Sequence, residues 1–538
     1  MRALAGTTGL TGTGTLIKLA FRRDRITLVI WIYALTAFVA ATAYGFKKLY
    51  PAAPGRVEFV AAASSNPSLL SLYGPLYGTS TGSLVSWRDT ALLGLAAGLM
   101  SIFLLVRHTR ADEESGRLEL VGATAIGRNA ALASAIAVAG TANAVIFVTM
   151  TAVAILFGLP AAGSIAMAGG IAGCGLAFTG IAAVAAQLAQ TARAARGVAF
   201  GAIAAAFLLR AVGDSAASDG PRWLSWLSPV GWAELVRSFG SIRWWLLALP
   251  LACAVLVAAV GAVLAANRDY DAGLIGARPG PPVASASLRN SFALAWRLQR
   301  GSLFAWVAGA LVFGVLIGSA AKGIGGLIAS SQVRRIVISL GGQAALTNAF
   351  FAAILGFVGL IVAGYAVSAV LRLRSEEAEG HAESVLSTGT GRLPWGGSHL
   401  IIAAAGTVAI LSAAGLGAGL GYVYQAGGGG TELARLTLAG LAQAPAALVI
   451  GGVAAALFGL LPRRCVAVSW AVLGVVAAML LLGAVLQLSH WVLDLSPFTH
   501  SPKLPGGTVA AEPLVLLGVI AALLAVAGLA GLRRRDVG

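Results

Sequence analysis

The sequence predicts an all-α, polytopic membrane protein with about twelve transmembrane helices. Of its 538 residues, 58% are hydrophobic and only 11% are charged, and the mean hydropathy is +0.87. A soluble domain carries about 25% charged residues, and many apolar runs here exceed the roughly 20 residues that span a bilayer as a helix. A transmembrane barrel needs alternating apolar and polar residues, and these runs do not alternate. The membrane part is therefore predicted to be helical.

Run length and hydropathy place twelve spans along the chain. They cover residues 26–46, 88–109, 129–158, 164–190, 198–213, 244–266, 302–321, 349–371, 398–424, 436–461, 465–489 and 511–532. An even number of spans places both termini on one side of the membrane. Because 24 of the 37 Lys and Arg residues fall on that side, the termini are predicted to be cytoplasmic and the protein to lie in the cell membrane.

The net charge of +17 would suggest nucleic acid as the partner of a soluble protein. Here the basic residues cluster beside the predicted spans, so we interpret them as orientation signals and contacts to anionic membrane lipids. Cys174, Cys253 and Cys465 all fall in predicted spans without metal-ligand spacing. They indicate small core residues, and we predict neither a metal site nor a disulfide framework.

The spans divide into two similar six-span halves, residues 1–266 and 291–538. Pro279, Pro281 and Pro282 argue against a helix in residues 267–290, which are predicted to form a cytoplasmic linker. Because each half has an even number of spans, both halves insert in the same orientation. They are predicted to be parallel repeats, related by an axis along the membrane normal.

Two short patterns recur at equivalent places in the halves. Before the first span of each half, apolar residues on one side and Arg on the other predict a connecting helix in the inner membrane interface, with an ordinary basic flank as the alternative. The residues that define this helix are Phe21, Arg22, Arg25, Trp296, Arg297 and Arg300. Before the last span of each half, Leu-Ser-Pro at residues 227–229 and 495–497 is predicted to lie among short surface or re-entrant helices.

The loop after the second span is also repeated. Residues 110–128 (RADEESGRLELVGATAIGR) align without a gap with residues 374–392 (RSEEAEGHAESVLSTGTGR), and eight of the 19 positions are identical. A polar loop has no evident packing reason to repeat this closely, so we expect a partner outside the bilayer to bind both copies. Residues 112–120 can form two turns of helix, in which Glu113 can meet Arg117. Glu377 and His381 hold the equivalent positions in the second copy and can meet in the same way. Gly116 and its counterpart Gly380 predict a kink or a close backbone approach in both copies.

The acidic residues of this loop allow three interpretations. Catalysis is disfavoured, because no His, Cys or Ser partner is repeated with the carboxylates, and we predict no catalytic residue. A solvated turn is the second interpretation. The preferred one is a docking helix whose acidic residues face basic residues of a cytoplasmic partner.

Two fused six-span halves, each with a basic interfacial helix and an E-x-x-G-x-x-E loop after its second span, resemble the permease of an ABC exporter. The chain looks most like the actinobacterial permeases of the tetronasin or polyketide-antibiotic exporter type, over nearly its whole length. The resemblance implies the type V (ABCG- and ABCA-like) exporter fold and makes the repeated loop the coupling helix that fits a groove on the ATPase. The coupling residues that it implies are Glu113, Glu114, Gly116, Arg117 and Glu119 in the first half, and Glu377, Glu379, Gly380, His381 and Glu383 in the second. Arg117 is replaced by His381 and Glu114 by Ala378 in the second copy, so the two contacts are expected to be unequal.

No G-x-x-x-x-G-K-[ST] phosphate-binding loop occurs in the chain. ATP-driven transport would therefore need a separate ATPase, and two docking loops imply two copies of it. ATP and Mg²⁺ are expected on that partner, which leaves this chain as a transport subunit and not itself an enzyme. The resemblance implies export of hydrophobic or amphipathic compounds such as antibiotics, drugs, polyketides or lipids.

An apolar cleft between the halves would suit a hydrophobic small molecule that enters from the inner leaflet. Aromatic residues on spans 1, 2, 7 and 8 are the candidates to line it, although most spans carry aromatic residues for packing. The candidates are Trp31, Phe38, Phe103, Trp306, Phe313 and Phe357.

The rival class is an ion-coupled secondary transporter with twelve spans. Such proteins use ionisable residues near the bilayer midplane, whereas the span interiors here hold almost no charge. Arg88, Asp89, Arg210 and Asp214 lie at predicted span ends, where we interpret them as structural ion pairs. We interpret the polar residues Asn143, Gln187 and Gln487 as hydrogen-bonding groups between helices. The lack of buried acids argues against a proton relay.

Overall fold

The computed structural model of the chain is all-helical over the residues that it describes. These are residues 9–64, 67–122, 126–215, 221–268, 273–275, 282–283, 285, 288, 290–321, 342–427, 429–482, 489–507 and 511–535. The chain forms two compact units, Met1–Gly280 and Pro281–Gly538. Much of the predicted linker 267–290 lies outside the described residues, so its bounds stay a prediction.

Unit 1 is built from ten α-helices, counted over its described residues. They are α1 (Thr13–Leu49), α2 (Ala53–Ser64), α3 (Pro67–Tyr73), α4 (Thr81–Val106), α5 (Arg117–Gly122), α6 (Ala130–Leu156), α7 (Ala161–Leu188), α8 (Ala192–Ser215), α9 (Pro229–Leu235) and α10 (Ala248–Ala266). Beyond Val106, a π-helical turn (Arg107–Ala111) and one more helical turn (Asp112–Glu114) extend α4. Short 3₁₀ segments, Arg222–Leu227 and Trp244–Leu247, flank α9.

Unit 2 repeats much of this order in its described part. Its helices are α11 (Ser291–Ala321), α12 (Gly342–Ala378), α13 (His381–Leu386), α14 (Arg392–Ala426), α15 (Gly430–Leu441), α16 (Ala444–Leu460), α17 (Cys465–Leu482), α18 (His490–Leu493) and α19 (Ala511–Arg534). A 3₁₀ turn, Pro497–His500, follows α18.

Eleven of the described helical stretches are long and apolar enough to cross a membrane. They overlap all the predicted spans except the eleventh, so the prediction of a polytopic all-α membrane protein is confirmed. The eleventh predicted span, 465–489, begins as α17, and residues 483–488 lie outside the described part of the chain. The tenth span is not one straight helix, because a turn at Ala442 and Gln443 separates α15 from α16.

Helix α7 forms the centre of unit 1, where it packs against α4, α6 and α10. Small residues let the helices approach closely, as in other membrane bundles. A Cβ atom on Gly175 would lie 1.9 Å from Asn143 Oδ1, and one on Gly98 would lie 2.6 Å from the ring of Phe178. These contacts explain why glycine occupies both positions.

The core of unit 2 forms where α14 packs against α11 and α12 and where α16 packs against α19. Glycine again allows close contact, since a Cβ atom on Gly459 of α16 would lie 2.0 Å from the carbonyl oxygen of Gly528 in α19. Large buried side chains, including Phe458 and Trp395, fill the space around these crossings.

Of the three polar residues singled out from the sequence, Asn143 bonds between helices, as predicted, and Gln187 bonds to a residue that follows α10. The buried Asn143 of α6 donates from Nδ2 to Ser101 Oγ of α4 over 2.9 Å. Gln187 of α7 accepts a 2.6 Å hydrogen bond from Arg268 Nε. Gln487 lies outside the described residues.

The predicted connecting segments are helical, but they do not form separate helices. Residues 19–25 belong to the 37-residue helix α1, and residues 294–300 belong to the 31-residue helix α11. Phe21 is partly buried, and the other defining residues, Arg22, Arg25, Trp296, Arg297 and Arg300, are exposed. Each segment therefore extends the first span without a break, and its position in a membrane interface stays a prediction.

The prediction of short helices around the two Leu-Ser-Pro motifs is confirmed. Ser228 caps α9, since its Oγ accepts hydrogen bonds from the amides of Val230 and Gly231. Ser496 precedes the 3₁₀ turn that begins at Pro497. Proline has no N–H group that would need a hydrogen-bond partner at the first helical position. The Ser-Pro part of each motif therefore favours the start of a helix.

Candidate functional site at the repeated loops

In unit 1 the repeated loop contains two short helical segments separated by Gly116. The extended α4 ends at Glu114, Gly116 has a left-handed backbone with a φ of 70°, and α5 begins at Arg117. Glycine adopts this conformation without the steric cost that a Cβ atom adds. The predicted kink is confirmed, but the predicted continuous helix over 112–120 is wrong. Arg117 consequently pairs with Asp112 at 3.2 Å and not with Glu113.

The loop of unit 2 has the same backbone plan. Helix α12 ends at Ala378, Gly380 has a φ of 75°, and α13 begins at His381. His381 Nδ1 lies 3.3 Å from Glu379 and 3.5 Å from Glu376. The predicted pairing of His381 with Glu377 is therefore wrong, for the same reason as in unit 1.

Glu113 and Glu377 point into their own units. The Glu113 side chain is 4% exposed, and its two oxygens accept hydrogen bonds of 2.8 and 2.7 Å from the guanidinium of Arg268. The Glu377 side chain is 2% exposed and receives bonds of 2.5 and 2.9 Å from Arg535. Each carboxylate also lies beside the first Arg of its loop, Arg110 at 3.1 Å or Arg374 at 3.2 Å.

The last Arg of each loop binds the backbone of the arginine whose side chain binds the Glu of that loop. Arg128 Nη2 donates to the carbonyl oxygen of Arg268, and Arg392 Nη1 donates to that of Arg535 over 2.6 Å. The prediction that no contact within the chain accounts for the repeat is therefore wrong. In each unit, the Glu side chain and the last Arg of the loop bind the same arginine, which follows the last helix of the unit. This shared contact explains why Glu and Arg recur at these positions.

The coupling residues implied by the resemblance thus fall into two groups. Glu113, Glu377 and the two glycines shape the loop, and Glu114 accepts a hydrogen bond from the Ala192 amide at the start of α8. The side chains that face outward are Arg117 and Glu119 in unit 1, and Glu379, His381 and Glu383 in unit 2. The coupling assignment itself stays a prediction.

Sequence reasoning missed an ion-pair network that ties α1 to the loop of unit 1. The fully buried Asp24 lies 2.5 Å from His108 Nε2 and 2.9 Å from Arg107 Nη1. Next to it, Arg23 binds Asp112 at 2.7 Å. The one signal in the sequence was an acid inside the basic run FRRDR, which has Gln299 as its counterpart in the second half.

In unit 2 the corresponding helix is held by a different contact. Gln299 Nε2 of α11 lies 3.0 Å from His399 Nδ1 of α14. The two loops therefore have equivalent backbones and equivalent Glu–Arg contacts, but unequal connections to the first helix of their units.

The candidate substrate-lining residues lie in different surroundings. Trp306 and Phe313 line an apolar pocket of about 380 Å³ between α11, α12 and α14, and Phe357 precedes Val358 on its wall. Phe38 lines a pocket of about 150 Å³ in unit 1, which also includes Arg88. Phe103 packs on Phe200, with 5.4 Å between the ring centroids, and Trp31 is partly buried. The substrate assignment stays a prediction.

The prediction that the chain lacks buried acids is wrong in both units, since Glu377 of unit 2 is buried as well. Asp24 and Asp89 are fully buried, and Glu234 of α9 is 9% exposed. Glu234 Oε1 lies 3.5 Å from Arg210 Nε, and Arg210 also pairs with Asp214 at 3.6 Å, as the interpretation of these residues as ion pairs predicted. Burial raises the pKa of the Glu234 carboxyl well above its usual range, although Arg210 opposes this shift.

Two helical units, each with a span-connecting loop bound to the end of its last helix, define a polytopic membrane protein. A family model described as "Multidrug efflux system permease Rv1217c, C-terminal domain" matches residues 14–264 and 288–533. The chain is also 39% identical over 532 residues to the Multidrug efflux system permease protein Rv1217c of Mycobacterium tuberculosis (strain ATCC 25618 / H37Rv), which covers 98% of this chain and 96% of that protein. The chain therefore belongs to the family of the multidrug efflux system permease Rv1217c.

Proposed function

We propose that this chain is the membrane subunit of an ATP-driven multidrug exporter and that a separate ATPase docks on its two repeated loops. The observation that carries the proposal is the pair of outward-facing acids at equivalent positions, Glu119 on α5 and Glu383 on α13. Each follows a left-handed glycine by three residues, so that two loops of the same backbone plan present the same charge. Complementary charges on a partner would orient its approach.

The proposed complex contains two copies of a cytoplasmic ABC ATPase, one for each loop. ATP and Mg²⁺ bind to those subunits, and the loops and both termini of this chain face the cytoplasm. Next to Glu119, the Leu120 side chain is 78% exposed and adds an apolar contact in unit 1. The equivalent residue in unit 2 is Ser384, which makes the two docking contacts unequal.

The test is co-purification with the proteins encoded next to this chain, followed by a vanadate-sensitive ATPase assay. We expect the wild-type chain to bring down an ATPase that the Glu119→Arg/Glu383→Arg variant loses. Glu58→Arg and Glu512→Arg are matched controls, because both acids are exposed and lie outside the loops. Purification of the wild-type chain without an ATPase, or retention of the ATPase by the docking variant, would contradict the proposal.

The proposed cargo is a hydrophobic or amphipathic drug. The apolar pocket of unit 2 supports this choice, because its walls are aliphatic and aromatic and its volume suits part of a drug-sized molecule. Trp306→Ala and Phe313→Ala should change which drugs the cells resist. Phe304→Ala serves as the control, since Phe304 is 59% exposed on the same helix and does not line the pocket. If Trp306→Ala and Phe313→Ala give the same resistance profile as the Phe304→Ala control, the pocket does not bind the drug.

Ion-coupled transport is the second candidate function, and buried Glu234 is the observation in its favour. The carboxyl lines a cavity of about 20 Å³ together with hydroxyl groups such as Ser83 and Tyr77, which is space for roughly one water molecule. Glu234→Gln would abolish transport under the ion-coupled mechanism. Under the ATP-driven mechanism, this variant should keep its transport.

A further inference from the structure

We infer that Arg268 and Arg535 transmit motion between each repeated loop and the last helix of the same unit. This inference deepens the proposed function, on which it rests. We call the two contacts the loop clamps: Glu113 with Arg268 in unit 1, and Glu377 with Arg535 in unit 2.

Each clamp joins elements that are distant in sequence but adjacent in the fold. Arg268 is the second residue after α10, and Arg535 is the first residue after α19. Their acidic partners lie near the ends of the extended α4 and of α12. The clamp therefore fastens the end of the second long helix to the end of the last helix, at the point where the repeated loop begins.

A third helix completes the clamp in each unit. In unit 1, Gln187 at the end of α7 accepts a 2.6 Å hydrogen bond from Arg268 Nε. In unit 2, the guanidinium of Arg535 lies 4.7 Å from the ring centroid of Phe458 near the end of α16. The contact is polar in one unit and a cation–π contact in the other, yet the same three-helix junction is made twice.

The clamps resist rupture for two physical reasons. Both are bidentate, and a guanidinium that binds both oxygens of a carboxylate holds its direction as well as its distance. Both are also largely shielded from water, with 13% of the Arg268 side chain and 16% of the Arg535 side chain exposed. Opening a clamp would leave a carboxylate buried without its main partner, which is a strongly unfavourable state.

A force applied to the loop must therefore reach the last helix. The Arg128 and Arg392 bonds to the backbone carbonyls of the clamp arginines add a second connection that does not depend on the carboxylates. An ATPase that displaces α5 or α13 would pull on the end of α10 or α19, and a packed helix moves as a rigid element. Arg268 and Arg535 are thus positioning residues that act through the glutamates and do not contact the cargo.

The experiment uses the full chain with its ATPase and compares basal ATP hydrolysis, drug-stimulated ATP hydrolysis and drug efflux. In the Arg268→Gln/Arg535→Gln variant, we expect the ATPase to co-purify and basal hydrolysis to persist, because the docking acids are untouched. Drug stimulation should weaken and efflux should fall by roughly 5- to 150-fold, the usual range of coupling between two sites, while the backbone bonds from Arg128 and Arg392 remain. Arg268→Lys/Arg535→Lys should recover part of the efflux, because it keeps the charge and loses the bidentate geometry.

Arg534→Gln is the matched control, since Arg534 is exposed and adjacent to Arg535. Adding Glu113→Gln and Glu377→Gln to the arginine variant should cost less efflux than the same two changes cost in the wild type, because the Glu–Arg clamp contacts are already lost. If the glutamine variant does not fold, the lysine variant is compared with Arg534→Gln in its place, and full efflux in that lysine variant would overturn the inference.

Full drug stimulation in the glutamine variant, an equal loss in Arg534→Gln, or additive losses in the combined variant would each overturn the clamp mechanism. The wild-type sample tests the proposed function separately: if it carries no ATPase, the exporter proposal fails, whatever the variants do.

Discussion

Helices α11 and α14 cross at backbone contact in unit 2, and this crossing makes a quantitative prediction. A Cβ atom on Gly318 would lie 2.0 Å from the carbonyl oxygen of Ala418. From the other side, a Cβ atom on Gly421 would lie 2.1 Å from that of Val315. The obstacles are backbone atoms, so no side chain can rotate away, and Gly318→Ala must push the two helices apart by about 1 Å, since such contacts require close approach of backbones.

Two opposing terms determine the size of the effect. Overpacking a well-packed crossing costs about 1–3 kcal/mol. Replacing glycine by alanine within a helix gains about 0.5–1 kcal/mol. The difference between these terms is a loss of about 0–2.5 kcal/mol of unfolding free energy. Because the obstacles are backbone atoms, we expect Gly318→Ala in the upper half of this range.

Gly309→Ala on the same helix is the control, because a Cβ atom there would meet nothing within 4 Å. Thermal unfolding in mild detergent can be followed with a thiol-reactive dye, since Cys174 and Cys465 are buried until the chain unfolds. We expect Gly318→Ala to unfold at a lower temperature than the wild type, and Gly309→Ala at the same or a higher temperature. If Gly318→Ala unfolds no earlier than Gly309→Ala, the crossing does not have this geometry.

Three further predictions use the same unfolding assay. Burial raises the pKa of the Glu234 carboxyl, so the folded state binds the carboxyl proton more tightly than the unfolded state does. The protonated carboxyl therefore contributes its full stabilisation below the pKa of the unfolded state. This contribution is lost as the pH rises through the pKa of the folded state. Glu234→Gln should flatten this decline, and an unchanged pH profile would show that Glu234 does not titrate in this way. Ser228→Ala should cost about 0.5–2 kcal/mol by removing two amide hydrogen bonds at the start of α9, whereas Ser489→Ala should cost nothing measurable, because the Ser489 side chain makes no cap hydrogen bond. Asn143→Ala should lower the free energy of unfolding by about 0.6–1.7 kcal/mol. Adding Ser101→Ala should lower it little further, since the two side chains share one hydrogen bond. Additive losses would show that the two side chains act independently.

The candidate site was only partly predictable from the chain. The repeat itself marked both loops, and glycine at two equivalent positions correctly predicted a kink. The structure shows that Gly116 and Gly380 make this kink with a left-handed backbone. The partners of the acids were assigned wrongly, because a spacing of four residues indicates contact only when the helix is continuous. Once Gly116 ends the helix, Arg117 turns towards Asp112 and leaves Glu113 to Arg268.

The sequence by itself determined the class of protein. Long apolar runs must become helices in a bilayer, because no water is present to satisfy an exposed backbone, and the duplicated loop is visible without coordinates. Only the tertiary structure decided what the duplicated residues contact. Glu113 and Arg268 stand 155 residues apart, so their pairing depends on where α4 and α10 end in space, and no local pattern in the chain encodes that distance.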